Sequence, residues 1–245
     1  MSLAQRFKDS LPENLKRQVR DFRHRNDAGL YSALLSVDPS IKTVFDIGAN
    51  VGNLSLVFLR WFPEATVHGF EPATKMFADM NARIDGAGFS DRFRAHQIGF
   101  FDKQTQADLH LASHHGANSL MDIGEAYHTA NPHIGSEATE SIELVRMDDF
   151  VRDAGITHID LVKIDVEGVE NEVLLGGRET FSTMVDAVIM EMSFVRHERA
   201  EGNHIQLFQT MHELGFAPSY MFDVEQAPLG TPWRLSQVDC VFRKF

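Results

Sequence analysis

Cysteine is nearly absent from this sequence, since Cys240 is the only one in 245 residues. A single cysteine cannot form an internal disulfide, which favours the reducing environment of the cytoplasm. No stretch approaches the roughly 20 consecutive apolar residues of a membrane-spanning helix. The charged start of the chain also lacks the apolar run of a signal peptide. These absences predict a cytoplasmic protein without a membrane segment.

Positive charge is also scarce, with 23 Lys and Arg against 35 Asp and Glu and a net charge of −12. Binding to nucleic acid depends largely on Lys and Arg contacts with phosphates, so this balance argues against a general nucleic-acid binder. Apolar residues make up 43% and charged residues 24% of the chain, which excludes a fibrous or disordered protein. The length fits one α/β domain with small additions.

Apolar segments of strand length alternate with helical segments from residue 41 onward. The predicted strands are 43–47, 65–70, 93–98, 106–112, 158–164, 186–192, 218–222 and 238–243, and the predicted helices are 53–61, 74–84, 169–175 and 205–214. This alternation predicts an α/β fold, with a mostly parallel sheet covered by helices on both faces. The last two strands have no helix between them, so we expect a C-terminal antiparallel hairpin at the sheet edge.

Two segments lie outside this alternation. Residues 1–40 carry apolar side chains at helical spacing and predict an N-terminal helical extension to the domain of residues 41–245. Residues 113–140 contain Gly, Asn, Ser and four histidines with little periodicity. A long irregular segment inside a compact domain is typical of a functional loop, so we expect a lid over the active site.

A glycine turn follows the first predicted strand, in the sequence DIGANVGN that starts at Asp46. Gly48 and Gly52 permit a sharp turn and the close approach of a ligand to the backbone. Asp46 ends the strand, where open α/β sheets bind ligands. The glycines alone are equally consistent with a tight turn between a strand and a capped helix.

Glu71 ends the next strand, in the sequence VHGFEP. It follows Gly48 by about 20 positions, the spacing of the carboxylate that accepts the ribose hydroxyls in dinucleotide-binding folds. This spacing favours an adenosine-containing cofactor over an ordinary surface glutamate.

The charge of the turn distinguishes between two adenosine cofactors. A pyrophosphate requires glycines at the helix start, whereas this turn has Asn50 and Asn53 at two of those positions. Asp46 would repel a pyrophosphate but attract the ammonium and sulfonium of S-adenosylmethionine. We therefore predict an S-adenosylmethionine-dependent methyltransferase. The alternatives are a nicotinamide-dependent oxidoreductase and a non-catalytic cofactor-binding module of the same fold.

Acidic residues also follow two later strands. Asp165, Glu167 and Glu170 follow one strand, and Glu191 ends the next. If the two strands are neighbours, Asp165 and Glu191 face one crevice, where they could bind Mg²⁺, a cationic cofactor or a substrate hydroxyl. There are two simpler alternatives. Glu167 and Glu170 could stabilise the start of the next helix, and one of the acids could form an ion pair with Lys163.

Two histidines are candidates for the general base that accepts the proton of the methyl acceptor. His115 and His197 lie in loops expected near the carboxyl edge of the sheet, and the pKa of histidine suits proton transfer near neutral pH. Asp165 and Glu191 are the other catalytic candidates. The sequence has no C-x-x-C or H-E-x-x-H spacing, so no zinc site is predicted.

Several motifs together resemble the FkbM family of S-adenosylmethionine-dependent methyltransferases. They are DIGANVGNLSL, VHGFEP, the segment 146–150 and LVKIDVEGVENEVLLGG, within roughly residues 41–192. The resemblance implies a seven-stranded Rossmann-like domain that methylates a hydroxyl of a small metabolite, such as a sugar or polyketide. It assigns a cofactor role to Asp46, Gly48, Asn50, Gly52, Glu71, Ser119 and Asp165. The identity of the acceptor, O- or N-methylation, metal dependence and oligomeric state stay open at this point.

Overall fold

A seven-stranded mixed sheet forms the centre of the molecule, in the order β3-β2-β1-β7-β8-β10-β9. The computed structural model describes residues 40–112, 118–120, 136–193, 204–226 and 235–245. The strands of this sheet are β1 (Thr43–Ile47), β2 (Thr66–Phe70), β3 (Phe93–His96), β7 (Ile159–Ile164), β8 (Val185–Ser193), β9 (Phe216–Gln226) and β10 (Leu235–Lys244). The first five in the spatial order run parallel, and β10 is antiparallel to both β8 and β9.

Helices cover both faces of this sheet. They are α1 (Asn53–Trp61), α2 (Thr74–Gly86), α3 (Met147–Asp153), α4 (Glu170–Gly176), α5 (Arg178–Met184) and α6 (His204–Glu213). Successive strand residues point to opposite faces, so Val44 packs with α1 and α2, while Phe45 packs with α3 to α6. Both faces are apolar because both are buried, as in other parallel sheets.

The fold class predicted from the sequence is confirmed: a seven-stranded, mostly parallel sheet with a C-terminal antiparallel hairpin. The first strand and the first helix have the predicted bounds. Strand β6 (Ser136–Val145), α3 and α5 were not predicted. Among the described residues, no helix is long and apolar enough to cross a lipid bilayer.

The segment 113–140 is only partly described. Its last five residues belong to β6, so a regular strand replaces the irregular segment that we expected there. Residues 113–117 and 121–135 lie outside the described part of the chain, as does the expected N-terminal helical extension up to residue 39. The lid and the extension therefore stay predictions.

A second, small sheet lies beside the start of α2. It contains β4 (Gly99–Phe100), β5 (Thr105–Ala112) and β6, in the order β4-β6-β5. Its apolar side chains Leu109, Ile142 and Leu144 pack in one cluster with Val51 and Met76 of the main domain. The small sheet thus lies directly against the turn between β1 and α1.

One carboxylate ties the small sheet to α2. Glu140 of β6 accepts hydrogen bonds from the hydroxyl and, at 3.0 Å, from the backbone N–H of Thr74 at the first position of α2. This bond satisfies one of the free N–H groups that every helix start exposes. The small sheet is therefore held at a defined position next to the carboxyl edge of the main sheet.

Candidate active site

Three residues of the turn after β1 adopt left-handed backbone conformations: Gly48 with φ 76°, Asn50 with φ 51° and Gly52 with φ 77°. Glycine adopts this conformation without strain, and asparagine does so more readily than most residues. A Cβ atom on Gly48 would lie 1.9 Å from the carbonyl oxygen of Asp165. Gly48 is therefore required for both its conformation and the close packing of this turn on the end of β7.

Glu71 connects this turn to the end of β2. Its Oε2 accepts a hydrogen bond from the backbone N–H of Asn50 at 2.8 Å, and its Oε1 accepts one from Ala73 at 3.0 Å. Burial raises the pKa of Glu71 to about 7, although the two N–H donors oppose the shift. The side chain is only 7% exposed. Its carboxylate is thus fixed in direction beside the turn, where the sequence predicted it.

Asp46 lies beneath the turn and has no exposed surface. Its Oδ2 accepts a 2.6 Å hydrogen bond from the hydroxyl of Ser55 on α1. Its Oδ1 has no hydrogen-bond partner within the described part of the chain, and burial raises the pKa of the group. Because the side chain is enclosed, Asp46 can influence a ligand only through its charge and through the turn above it.

Lys163 is a buried cation of β7 between the turn and the acids. Its Nζ is 2.8 Å from Oδ2 of Asp165 and 3.5 Å from the carbonyl oxygen of Gly48. Burial works to lower the pKa of Lys163, but the carboxylates of Asp165 and Asp46 outweigh it and raise the pKa. The ion pair with Lys163, one of the simpler alternatives for these acids, is therefore present for Asp165.

Three carboxylates meet at the carboxyl ends of β7 and β8. Asp165, Glu167 and Glu191 each place an oxygen within 4.8 Å of the others. As the parallel pairing of β7 and β8 predicts, Asp165 and Glu191 lie close together at this edge of the sheet. Burial and then the neighbouring charges of Asp165 and Glu167 raise the pKa of Glu191 well above its ordinary value. We call these three residues the acidic edge.

Glu170 has a structural role. It is 3% exposed, and its Oε1 accepts a 3.0 Å hydrogen bond from the backbone N–H of Gly168. Glu170 therefore stabilises the turn that leads into α4, a structural role that needs no ligand.

Ser119 is brought to the acidic edge from the small sheet. It is 1% exposed, and its hydroxyl donates a 2.7 Å hydrogen bond to the carbonyl oxygen of Glu167. This contact joins Ser119 to the turn that carries Glu167. The cofactor role of Ser119 stays a prediction. His115 and His197, the candidate bases, lie outside the described residues.

The sequence analysis missed one acid near this site. Asp239 of β10 lies opposite Glu191 in the register of the sheet and contributes to raising the pKa of Glu191. A charged residue inside the apolar strand sequence VDCVF was the available signal.

The comparison with known families now decides the class of protein. The family described as the methyltransferase FkbM domain matches residues 46–218. The chain belongs to the FkbM methyltransferase family. The sequence-based resemblance is thereby confirmed, as is methyltransferase function, and the nicotinamide-dependent alternative is set aside.

Curated relatives of this FkbM methyltransferase include two named enzymes. The 2-O-methyltransferase NoeI of Sinorhizobium fredii is 28% identical over 189 residues, which are 74% of each chain. The 31-O-demethyl-FK506 methyltransferase FkbM of Streptomyces tacrolimicus is 31% identical over 169 residues. This second match covers 61% of the present chain and 64% of the relative, slightly less than two thirds of its length.

Solved structures of similar fold include a methyltransferase and a complex with S-adenosyl-homocysteine. The precorrin-6y C5,15-methyltransferase of Geobacter metallireducens matches with a TM-score of 0.50 at 10% identity, over 89% of this chain and 86% of that one. TrmK of M. capricolum, solved with S-adenosyl-homocysteine, has a TM-score of 0.50 at 10% identity, over 88% and 67% of the two chains. At this identity the likeness shows the Rossmann-like fold alone.

Proposed function

We propose that this FkbM methyltransferase transfers a methyl group from S-adenosylmethionine to a hydroxyl of a small metabolite. The observation that carries the proposal is the Glu71 carboxylate, which is fixed by the N–H groups of Asn50 and Ala73 beside a turn with three left-handed residues. This is the arrangement expected for a group that accepts ribose hydroxyls. The names of the two curated relatives, both O-methyltransferases, support a hydroxyl as the acceptor.

The charges at this edge of the sheet fit a cationic cofactor. Asp46 contributes a buried carboxylate whose Oδ1 lacks a partner among the described residues, and the backbone carbonyl of Asp165 packs against Gly48 of the turn. Glu71 would hold the ribose, and the backbone between Gly48 and Gly52 would receive the amino-acid part of the cofactor. When bound, S-adenosylmethionine supplies an electrophilic methyl group on a cationic sulfur.

The acidic edge provides the proton acceptor in this proposal. Glu191 is the preferred base, because a carboxyl group of raised pKa accepts a proton more readily than an ordinary carboxylate. Asp165, His115 and His197 are the alternative bases. Holding the acceptor oxygen in line with the transferred methyl group supplies most of the acceleration.

The same three carboxylates also form a donor set that Mg²⁺ prefers, since all of their ligand atoms are oxygens. Asp165, Glu167 and Glu191 would hold the ion, whose charge would lower the pKa of an acceptor hydroxyl. Metal-independent transfer with Glu191 as the base is the alternative, and a chelator distinguishes the two.

Two measurements test the proposed function. Calorimetry with S-adenosylhomocysteine should show binding that Glu71→Ala weakens about 10- to 100-fold, because hydrogen bonds to a charged group contribute about 1.5–3 kcal/mol. Glu64→Ala, at an exposed acid outside the site, is the matched control. No binding to the wild-type protein, or equal effects of the two variants, would contradict the cofactor assignment.

The second measurement is a cofactor-consumption screen over hydroxylated sugars and polyketide-like compounds, with Mg²⁺ and with chelator. Transfer to a hydroxyl is the expected result, and transfer unchanged by chelator would exclude the metal. Cofactor binding without transfer to any acceptor would instead favour the non-catalytic module.

A further inference from the structure

The turn after β7 has an unusual backbone at two consecutive residues. Glu167 has φ 59° and Gly168 has φ 116°. Glycine tolerates positive φ, but a residue with a side chain pays about 1–2 kcal/mol for the left-handed conformation. Glu167 adopts it, and contacts from other parts of the chain must therefore hold this turn.

Side chains on both sides of the turn hold it by hydrogen bonds. Glu170 accepts from the N–H of Gly168 at 3.0 Å, and Ser119 donates to the carbonyl oxygen of Glu167 at 2.7 Å. Both side chains are buried, at 3% and 1% exposure. Glu170 belongs to the first turn of α4 and is a local contact, whereas Ser119 comes from a segment 48 positions earlier in the chain.

Ser119 is itself fixed to the small sheet. Its backbone N–H donates to the carbonyl oxygen of His110 at 3.1 Å, and its carbonyl oxygen accepts from the N–H of His110 at 2.9 Å. His110 lies in β5, which pairs along its length with β6. Glu140 of β6 in turn caps α2. A continuous series of hydrogen bonds thus runs from the start of α2 through the small sheet to the Glu167 backbone.

The charge at the acidic edge works against this position of the Glu167 turn. The carboxylates of Asp165, Glu167 and Glu191 lie within 4.8 Å of one another and repel each other when ionised. Lys163 pairs with Asp165, so it does not neutralise all three. This repulsion acts to separate the Glu167 carboxylate from the other two, and the hydrogen bond from Ser119 opposes that movement.

We propose that Ser119 is a positioning residue, whose hydroxyl holds the Glu167–Gly168 turn so that the Glu167 carboxylate faces Asp165 and Glu191. Ser119 thereby couples the small sheet to the acids that act on the acceptor. The effect on catalysis rests on the proposed function, whereas the hold on the turn does not.

Hydrogen exchange on the free protein tests the hold directly. In Ser119→Ala, backbone amides of residues 165–170 should exchange several-fold faster than in the wild type, while those of β6 keep their rate. Ser119→Thr, which retains the hydroxyl, should restore slow exchange, and Ser119→Cys, a weaker donor, should lie between. If one of these variants does not fold, the order of the exchange rates among the remaining variants still tests the proposal. Equal exchange of residues 165–170 in all of them would overturn the proposal.

Thr210→Val is the matched control for a lost buried hydrogen bond. Thr210 is buried, and its hydroxyl bonds to Oδ1 of Asn171 at 2.9 Å. This variant should lower the melting temperature as Ser119→Ala does, without selectively faster exchange at residues 165–170. The same pattern in both variants would show that Ser119 has only a general structural role.

Kinetics then separates this proposal from the proposed function. With an acceptor from the screen, Ser119→Ala should lower kcat about tenfold while the KM for S-adenosylmethionine stays within about twofold, and Ser119→Thr should recover most of the kcat. An unchanged kcat would overturn the catalytic part of the proposal. If the wild-type protein fails to bind S-adenosylhomocysteine, the proposed function fails while the exchange result still decides the hold on the turn.

Discussion

Glu71 follows β2 and Glu191 lies near the end of β8, so both carboxylates are at the carboxyl edge of one sheet. Burial raises the pKa of each. Their surroundings differ. Glu71 accepts hydrogen bonds from two backbone N–H groups, whereas Glu191 lies among the carboxylates of Asp165, Glu167 and Asp239. Burial penalises the negative charge of both groups, but the two N–H donors offset part of this penalty for Glu71, whereas the neighbouring carboxylates add to it for Glu191. We therefore expect the turn beside Glu71 to be organised before a ligand binds, and the acidic edge to take up a proton or a cation more readily than Glu71.

Gly48→Ala is expected to have the largest effect on stability, because a side chain there would disrupt the packing of the turn after β1 on Asp165. A Cβ at this position meets the Asp165 carbonyl oxygen at 1.9 Å in a backbone with φ 76°. Gly88 is the matched control, with φ 78° and no atom within 4 Å of a Cβ. Gly88→Ala should cost about 1–2 kcal/mol from backbone strain alone. Gly48→Ala should cost about 1–3 kcal/mol more from overpacking.

Urea unfolding of both variants measures this difference. Equal losses of unfolding free energy would show that the turn moves away from β7 without cost. The two sides of the site would then be less tightly connected than the structure indicates.

The pH dependence of cofactor binding tests the proposed role of Glu71. The pKa of this group is raised from 4.5 to about 7, and only the ionised carboxylate accepts both ribose hydroxyls. The affinity for S-adenosylhomocysteine should therefore rise up to about tenfold per pH unit below pH 7 and level off above it. Calorimetry between pH 6 and 8 on the wild type and Glu71→Gln measures this effect.

Glu71→Gln should bind more weakly and without this pH dependence, while Glu64→Gln should follow the wild type. The stability of the folded protein changes with pH in the opposite direction to the affinity. A carboxyl group whose folded pKa is raised loses its contribution to stability as the pH rises from about 4.5 to about 7. A flat affinity profile in the wild-type protein would argue against a ribose contact by Glu71.

The geometry of the turn beside Glu71 could be predicted from the sequence more fully than the contacts of the acidic edge, and the reason is physical. The glycines, Asp46 and Glu71 act through local turns and strand ends, which spacing along the chain reveals. The contact of Ser119 with Glu167 joins residues 48 positions apart, and the position of Asp239 depends on strand order. The pattern of neighbouring residues in the sequence does not reveal contacts of this kind.

The same distinction explains the errors in the fold. The apolar alternation of β1 and the helical spacing of α1 are strong local signals, and both bounds agree with the structure. Strand β6 starts in SEATE, which has little apolar character, and pairing with β5 rather than its own composition makes it a strand. Helix α3 is a short helix of seven residues, too short to show periodicity.

Glu191→Gln should give the smallest effect on stability but the clearest contrast with Glu71. At pH 8 the substitution removes a carboxylate that burial and the neighbouring acids penalise, while the amide keeps the shape of the side chain. We expect a gain of about 1 kcal/mol, or a melting temperature higher by about 2–4 °C. Glu71→Gln also removes a buried charge, but its amide group cannot accept from both backbone donors, so we expect no gain in melting temperature. Methyl transfer should fall in Glu191→Gln despite the gain in stability, as is common for substitutions in active sites. If both variants lower the melting temperature equally, the two carboxylates are held alike, and the acidic edge has partners that balance its charge.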